Sequence, residues 1–292
     1  MPTPAPPSAR VRSPSGLTLL VLALGLLSGC TTNAATGRRQ FNMLSRSQEI
    51  AMGAQAMPEV LKQYGGRIDD PYMQSYVTEV GMKLAAQTEG DYASLPWQFT
   101  VLNSDVVNAF ALPGGKVFIT KGLLVKLDDE AELAGVLGHE IGHVAAEHAD
   151  KQMSDQMIFA GVLVGASIGS SRSDSDLVRA GVPLLVGVGG EGFLLSYSRK
   201  DELEADALGM RYMARAGYDP AAQRDVMEIL EKESKKSGSR RPLPFFSTHP
   251  YPETRIKKID ERLAHEYPPE MRAELVRNKE RFQERVRSRI KK

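Results

Sequence analysis

A single cysteine, Cys30, occurs in the whole chain, which excludes an intrachain disulfide framework and any zinc knuckle built on thiolates. An excess of either charge is also missing. With 37 Lys and Arg against 36 Asp and Glu, the formal charge is +1, far from the basic surplus of a dedicated nucleic-acid binder. No internal repeat appears, and 42% hydrophobic and 25% charged residues exclude long disorder, collagen-like and coiled-coil arrays. Long uncharged apolar runs are scarce: Ile158–Gly169 is only a dozen residues, and Leu177–Leu195 contains Arg179 and Glu191, so neither reads as a membrane span. The 292 residues leave room for one large domain or two small ones, with a real core either way.

The first 29 residues read as a leader. Arg10 and Arg12 precede an apolar run from Leu17 to Leu27 with no acid before it, the order of a secretory signal. The run is too short to span a membrane comfortably. It ends in Leu27-Ser28-Gly29-Cys30, which resembles the lipobox of bacterial lipoprotein signals. That resemblance implies cleavage before Cys30 and acylation of the cysteine. Because Thr31 rather than Asp follows, it also implies residence on the periplasmic side of the outer membrane. Several acyl chains on one residue hold a protein stably, where a single chain holds it marginally.

Without the leader, 35 basic residues face 36 acidic ones, unevenly distributed. Residues 271–292 hold nine Lys or Arg and three Glu, which leaves 26 basic against 33 acidic in residues 30–270. The basic end reads as a helix with Met271, Leu275, Val276, Phe282, Val286 and Ile290 loosely along one side. Either that stripe packs it on the body, or its charge meets an anionic surface.

Between the ends, residues 30–45 are small, polar and basic, a tether from the cysteine. Residues 47–62 read as a helix stopped at Gly65-Gly66, and a second helix starts near Pro71 with apolar period through Leu84. Trp97–Asn103 alternates as a strand, and Asn108–Leu112, Pro113-Gly114-Gly115 and Lys116–Thr120 read as a β-hairpin. After Asp128-Asp129-Glu130 a long helix is expected through about Asp150.

That helix carries His139-Glu140-Ile141-Gly142-His143 in an uncharged apolar setting. At 100° per residue the two histidines lie about 40° apart on one face, so both imidazoles reach one metal ion. Glu140 sits about 100° round from His139, close enough to reach a water on that ion without ligating it. Zinc lowers the pKa of such a water, and the glutamate takes its proton as the water attacks a carbonyl. His148 projects about 180° away from His139 on a continuous helix, so it reads as structural. A third ligand is sought in Ser198-Arg-Lys-Asp-Glu202-Leu-Glu-Ala-Asp206. Glu202 and Asp206 share a helix face and Glu204 points roughly opposite. One carboxylate on the metal and one hydrogen-bonded to a ligand imidazole is the expected pattern.

These motifs resemble the zinc metallopeptidase family of CAAX prenyl proteases, HtpX and the mitochondrial Oma proteases, and most closely its soluble periplasmic members of the β-barrel assembly-enhancing type. Further matches are Thr36–Asn42, Asn108–Thr120 and Ser247-Thr-His249-Pro-x-Pro-Glu-Thr-Arg255, so the resemblance spans about residues 36–264. It implies an α+β, zincin-like, mainly helical fold with a small antiparallel or mixed sheet. It implies one Zn2+ per chain on His139, His143 and Glu202, with Glu140 as general base and Asp206 behind a ligand. The repeat domain of the assembly-enhancing type and the membrane helices of HtpX have no counterpart.

Three further expectations follow. Lys116, Val117, Phe118 and Ile119 form a cleft-edge strand on which an extended substrate adds, or an ordinary sheet strand. His249 stabilises the oxyanion or occupies the open metal position. The glycine-rich stretch 161–192 is a lid or a close-packed helical layer. Two rival readings exist: a serine hydrolase using the Gly165-Ala-Ser167-Ile-Gly169 elbow with Asp174 and His249, and a lipoprotein chaperone or scaffold with a structural zinc site. The favoured reading has a leader at 1–29, a tether at 30–45, a metallopeptidase domain at 46–270 and a basic helix at 271–292. It is a lipid-anchored endopeptidase of the bacterial envelope that acts on unfolded or misassembled envelope proteins.

Overall fold

The computed structural model describes residues 30–42, 44–159, 196–236, 243–250 and 252–290, with isolated positions at 176, 179, 182 and 183. The leader 1–29, Ser167 and Asp174, and nearly all of the glycine-rich stretch 161–192 lie outside the described residues. Among the described residues no helix is long and apolar enough to cross a membrane.

Residues 30–42 form a docked hairpin rather than a loose tether. Strand β1 (Cys30–Thr32) pairs antiparallel with β2 (Arg39–Phe41). In the turn, the Asn33 amide donates to the Ala145 carbonyl at 2.8 Å and to the Tyr92 hydroxyl at 2.9 Å. Helix α1 (Arg46–Gln63) follows, opened by a capping box in which Ser45 and Gln48 satisfy each other's backbone amides. Helix α2 (Pro71–Ala85) begins with Asp70 accepting from two amides and proline in the first turn.

A three-stranded sheet comes next: β3 (Gln98–Leu102), β4 (Ala109–Leu112) and β5 (Lys116–Thr120). The order is β3-β5-β4, with β5 parallel to β3 and antiparallel to β4. Strand β5 is therefore the centre of the sheet, with both sides paired. Lys116, Val117, Phe118 and Ile119 cannot receive a substrate strand at an edge; the edges are β3 and β4. Both faces of the hairpin are buried, which explains its nearly unbroken apolar run. Phe110, Leu112 and Phe118 meet Met52, Ala56 and Val60 of α1 on one face. Ala109, Ala111, Val117 and Ile119 face the main core with α2 on the other.

Helix α3 (Glu130–Ala145) is buried along its whole length, as an all-round apolar helix must be. It does not continue to Asp150. Glu147 adopts a left-handed conformation (φ 57°), and a new helix, α4, runs from His148 to Phe159. Ala145, Ala146 and Glu147 are ordinary helix formers, so nothing local breaks the helix. The break is held by partners of the Glu147 side chain: Gln40, Asn42, Tyr92 and Arg46.

Helix α5 (Arg199–Arg215) packs on α3 at backbone distance. A Cβ on Gly142 would lie 2.7 Å from the Ala205 carbonyl oxygen, and one on Gly209 would lie 2.9 Å from the His139 nitrogen. This close approach brings the two sets of metal-ligating residue types together. Helices α6 (Ala222–Lys236), α7 (Pro244–Thr248) and α8 (Pro252–His265) complete the body.

The basic C-terminal stretch is not one helix. Short turns at Pro269–Arg272 and Lys279–Phe282 flank an extended bridge from Val276 to Tyr218. The Arg277 carbonyl accepts from the amides of Glu130 and Ala131, capping α3. Arg272, Arg277, Arg281, Arg287 and Arg289 pair with acids of the body, among them Asp219, Asp129, Glu130, Asp128 and Asp70. Much of the tail's charge is thus neutralised within the chain.

Candidate metal centre

The capping of α5 separates its four acids by role. Asp201 closes a capping box with Ser198, so the helix start is satisfied without Glu202 or Asp206. Those two face α3, four residues apart on one side. Glu202 lies 3.3 Å from His143 Nε2 through Oε1 and 3.5 Å from His139 Nε2 through Oε2. His139 Nε2 and His143 Nε2 are 3.1 Å apart. His249, fully buried after α7, brings Nδ1 to 3.1 Å from Glu202 and 3.3 Å from His139. Phe245 stacks on the His249 ring, and Tyr197 stacks on that of His143 with centroids 3.9 Å apart.

Proton assignment follows from the outer partners. Asp206 Oδ1 lies 2.9 Å from His139 Nδ1. An ionised carboxylate only accepts, so His139 carries its proton on Nδ1 and turns a bare lone pair at Nε2 toward the centre. His143 is held likewise by His148, Nδ1 to Nδ1 at 2.9 Å, while His148 Nε2 lies 3.0 Å from Glu204. Glu204 is in turn paired with Arg38 of the N-terminal hairpin. Lone pairs facing one another at such distances suit a positive charge between them, a metal ion or a proton.

The donor set fits zinc. Tetrahedral coordination with Zn–N near 2.0–2.1 Å places ligand atoms about 3.3 Å apart; with either Glu202 oxygen counted, five of the separations here run from 3.1 to 3.5 Å, and the four residues offer ligand atoms all within 4.8 Å of one another. His139, His143, Glu202 and His249 form the one metal-capable group among the described residues. The electrostatics agree. Burial and Arg255 pull the His139 pKa down, but Asp206 and Glu202 outweigh them and raise it to about 9, marking a spot that demands positive charge. Burial holds His143 well below its ordinary value, keeping that imidazole neutral. Glu202 resists the upward push of burial because Arg255 and the histidines hold it well below the carboxylate range. Glu140 is buried with both oxygens lacking a hydrogen-bond partner, 3.5 Å from His249 Nε2 at the closest, and burial raises its pKa. Such an orphaned carboxylate is costly unless something else is to occupy its reach.

The Peptidase family M48 model matches residues 71–263, which includes every one of these α3, α5 and α8 positions. The chain belongs to peptidase family M48. It is 30% identical over 244 residues to the Escherichia coli strain K12 β-barrel assembly-enhancing protease, covering 83% of this chain and 49% of that one. It is 34% identical over 230 residues to the mitochondrial metalloendopeptidase OMA1 of Schizosaccharomyces pombe, covering 77% and 64% respectively. The Arabidopsis thaliana OMA1 is 33% identical over 193 residues, 66% of this chain and 36% of that one. The chain spans about half the length of the assembly-enhancing relatives.

This M48 site also uses residues that motif reading left without roles. Arg255 on α8, 1% exposed, donates twice to Asp206 at 2.7 and 2.8 Å and ion-pairs with Glu202 at 2.7 Å. Gln223 donates to Asp206 at 3.0 Å. His148, projected away from the site on a continuous helix, is turned under His143 by the break at Glu147. Glu204 faces His148 rather than solvent. Arg255 lies in the Ser247–Arg255 segment, three residues past Pro252, whereas nothing in the local sequence of His148 or Tyr197 places it at the site. Cys30 begins β1, and Lys116 turns its amine to the Pro96 carbonyl at 2.8 Å, away from the histidines.

Proposed function

We propose that this chain is a zinc-dependent endopeptidase, with His139, His143 and Glu202 holding one Zn2+ and Glu140 as general base. The observation that carries this reading is the partnerless buried Glu140 carboxylate beside the converging ligand atoms. Zinc held there supplies Lewis acidity that activates a water and polarises the scissile carbonyl. Glu140 accepts a proton from the attacking water at a carboxylate oxygen and passes it to the leaving amine nitrogen as the C–N bond breaks. Its raised pKa suits a group that holds that proton between the two steps. Asp206, locked by Arg255 and Gln223, keeps the His139 proton on Nδ1. An extended substrate pairs with β4, the sheet edge whose end lies near His143.

With zinc bound, His249 would stand as a fourth ligand beside His139, His143 and Glu202, and its displacement would open the site to water and substrate. Four protein ligands are also the mark of a structural zinc site, which favours the chaperone or scaffold reading. A structural site has no use for Glu140, and that decides for the enzyme. The serine-hydrolase reading needs His249 as its base, and that ring lies among the metal-site atoms.

The substrate class is unfolded or misassembled envelope protein, and Cys30 is the lipid attachment point on the periplasmic side of the outer membrane. The relative named for β-barrel assembly supports that class, and the Leu27–Cys30 sequence supports the anchor. The C-terminal tail turns five of its arginines to acids of the body, which leaves less of its charge for an anionic surface. The test is metal content and cleavage of an unfolded protein by the wild type and by Glu140→Gln. The variant keeps one zinc and loses at least a hundredfold in cleavage; full activity in the variant, or wild type that binds no zinc, ends the proposal.

A further inference from the structure

The hairpin of residues 30–42 touches the surroundings of the metal centre at three points. Asn33 donates to the Ala145 carbonyl in the last turn of α3, where carbonyls have no partner further along the helix. Gln40 of β2 and Asn42 just past it both donate to one oxygen of Glu147, whose left-handed backbone separates α3 from α4. Arg38 pairs with Glu204 of α5. The hairpin lies wholly before residue 71, where the match to the M48 family model begins.

None of these contacts involves a metal-ligating residue type of the centre, yet they converge on one. His148 Nε2 donates to Glu204 at 3.0 Å, and His148 Nδ1 lies 2.9 Å from Nδ1 of His143. From Arg38 to His143 runs an unbroken series of guanidinium, carboxylate, imidazole and imidazole. Each member fixes the next. An ionised Glu204 only accepts, so His148 carries its proton on Nε2 and presents a bare Nδ1. That bare nitrogen holds the His143 proton on Nδ1 and leaves Nε2 of His143 for the metal. His148 stands in this series only because the chain breaks at Glu147, and Gln40 and Asn42 help to hold that break.

Arg38 is not placed there for the sake of the fold. Its pair with Glu204 is partly exposed, with 28% and 19% of the two side chains accessible, and such pairs add little to global stability. What the pair supplies is direction: it pins the carboxylate that orients His148. The other carboxylate near His148 Nε2, Asp201 at 3.8 Å, is committed to the Ser198 cap of α5.

We propose that Arg38 is a positioning residue of the metal centre, acting on His143 through Glu204 and His148, and that the N-terminal hairpin is thereby a working part of the zinc site. The inference rests on the zinc reading of the centre and not on cleavage.

The test measures zinc affinity of the full chain by competition with a chromogenic chelator, alongside the Tm of the zinc-free protein. Arg38→Gln weakens zinc binding about tenfold, the lower end of what partners behind a ligand contribute, while the zinc-free Tm stays near that of wild type. Arg38→Lys, which keeps a cation beside Glu204, recovers most of the affinity. Arg39→Gln removes the same charge from an exposed neighbour on β2 and leaves affinity unchanged. The deciding measurement is a double-variant cycle. In a His148→Phe protein the series is already cut, so adding Arg38→Gln costs no further affinity. An unchanged affinity in Arg38→Gln, an equal loss with and without His148, or a loss matched by Arg39→Gln overturns the proposal. Wild type that binds zinc and cleaves nothing overturns the peptidase reading alone, and wild type that binds no zinc overturns both.

Discussion

His148 Nδ1 lies 2.9 Å from His143 Nδ1, and the far side of the same ring lies 3.0 Å from Glu204. His148 Nε2–H donates to Glu204, His148 Nδ1 accepts from His143, and the Nε2 of His143 is left bare toward the other ligand atoms. Replacing His148 with Phe keeps the ring and removes the acceptor. Zinc affinity falls about 10–100-fold, measured by competition with a chromogenic chelator. An unchanged affinity would reduce His148 to packing.

His249→Ala tests the fourth position. With His249 Nδ1 3.1 Å from Glu202, its loss opens that position while His139, His143 and Glu202 remain. Cleavage of an unfolded protein rises, and zinc dissociates faster in chelator. Reduced cleavage with unchanged zinc affinity would instead assign His249 to the oxyanion.

Gly142 sets the distance between α3 and α5. A methyl group there meets the Ala205 carbonyl at 2.7 Å, which is backbone and cannot swing aside. Gly142→Ala lowers stability by about 1–3 kcal/mol, read from urea midpoints. It also lowers zinc content, because the histidines and Glu202 sit on opposite sides of that contact.

Arg255 is buried and paired with both Glu202 and Asp206. Arg255→Met leaves two carboxylates facing each other without it, and the zinc-free protein loses about 3–5 kcal/mol. Adding zinc recovers part of that loss. Arg255→Lys does not restore the wild type, since an ammonium cannot donate in a fork to Asp206. Denaturation with and without a chelator separates these cases.

Asp150 predicts a pH dependence of stability. Its folded pKa is raised from 3.8 to about 8, so the folded state binds more protons than the unfolded one in that interval. Stability is full below about pH 4 for this group and falls as pH rises toward 8. Asp150→Asn removes this slope, and at pH 8 its Tm exceeds that of wild type by about 2–4 °C for each kcal/mol relieved. A parallel decline in both proteins would refute the assignment.

Local spacing was enough to define the HExxH helix, the Glu202–Asp206 face, the hairpin and the first two helices, because each depends on neighbours within a few residues. A spacing of four residues, just over one helical turn, puts His139 over His143 and Glu202 over Asp206 whatever surrounds them. The break at Glu147 could not be read, since its cause is four partners from distant segments acting on a residue with good helix propensity. That single unreadable φ turned His148 under His143 instead of away from it, while it stays outside the metal-capable group. The centrality of β5 was hidden for a similar reason: a run buried on both faces carries no sign of which sides are paired. Spacing along the chain picked out the side chains proposed to carry the chemistry and showed which of them share a face. What stands behind them came from the folded arrangement, because the α3–α5 contact, the Arg255 clamp and the His148 support join segments many residues apart.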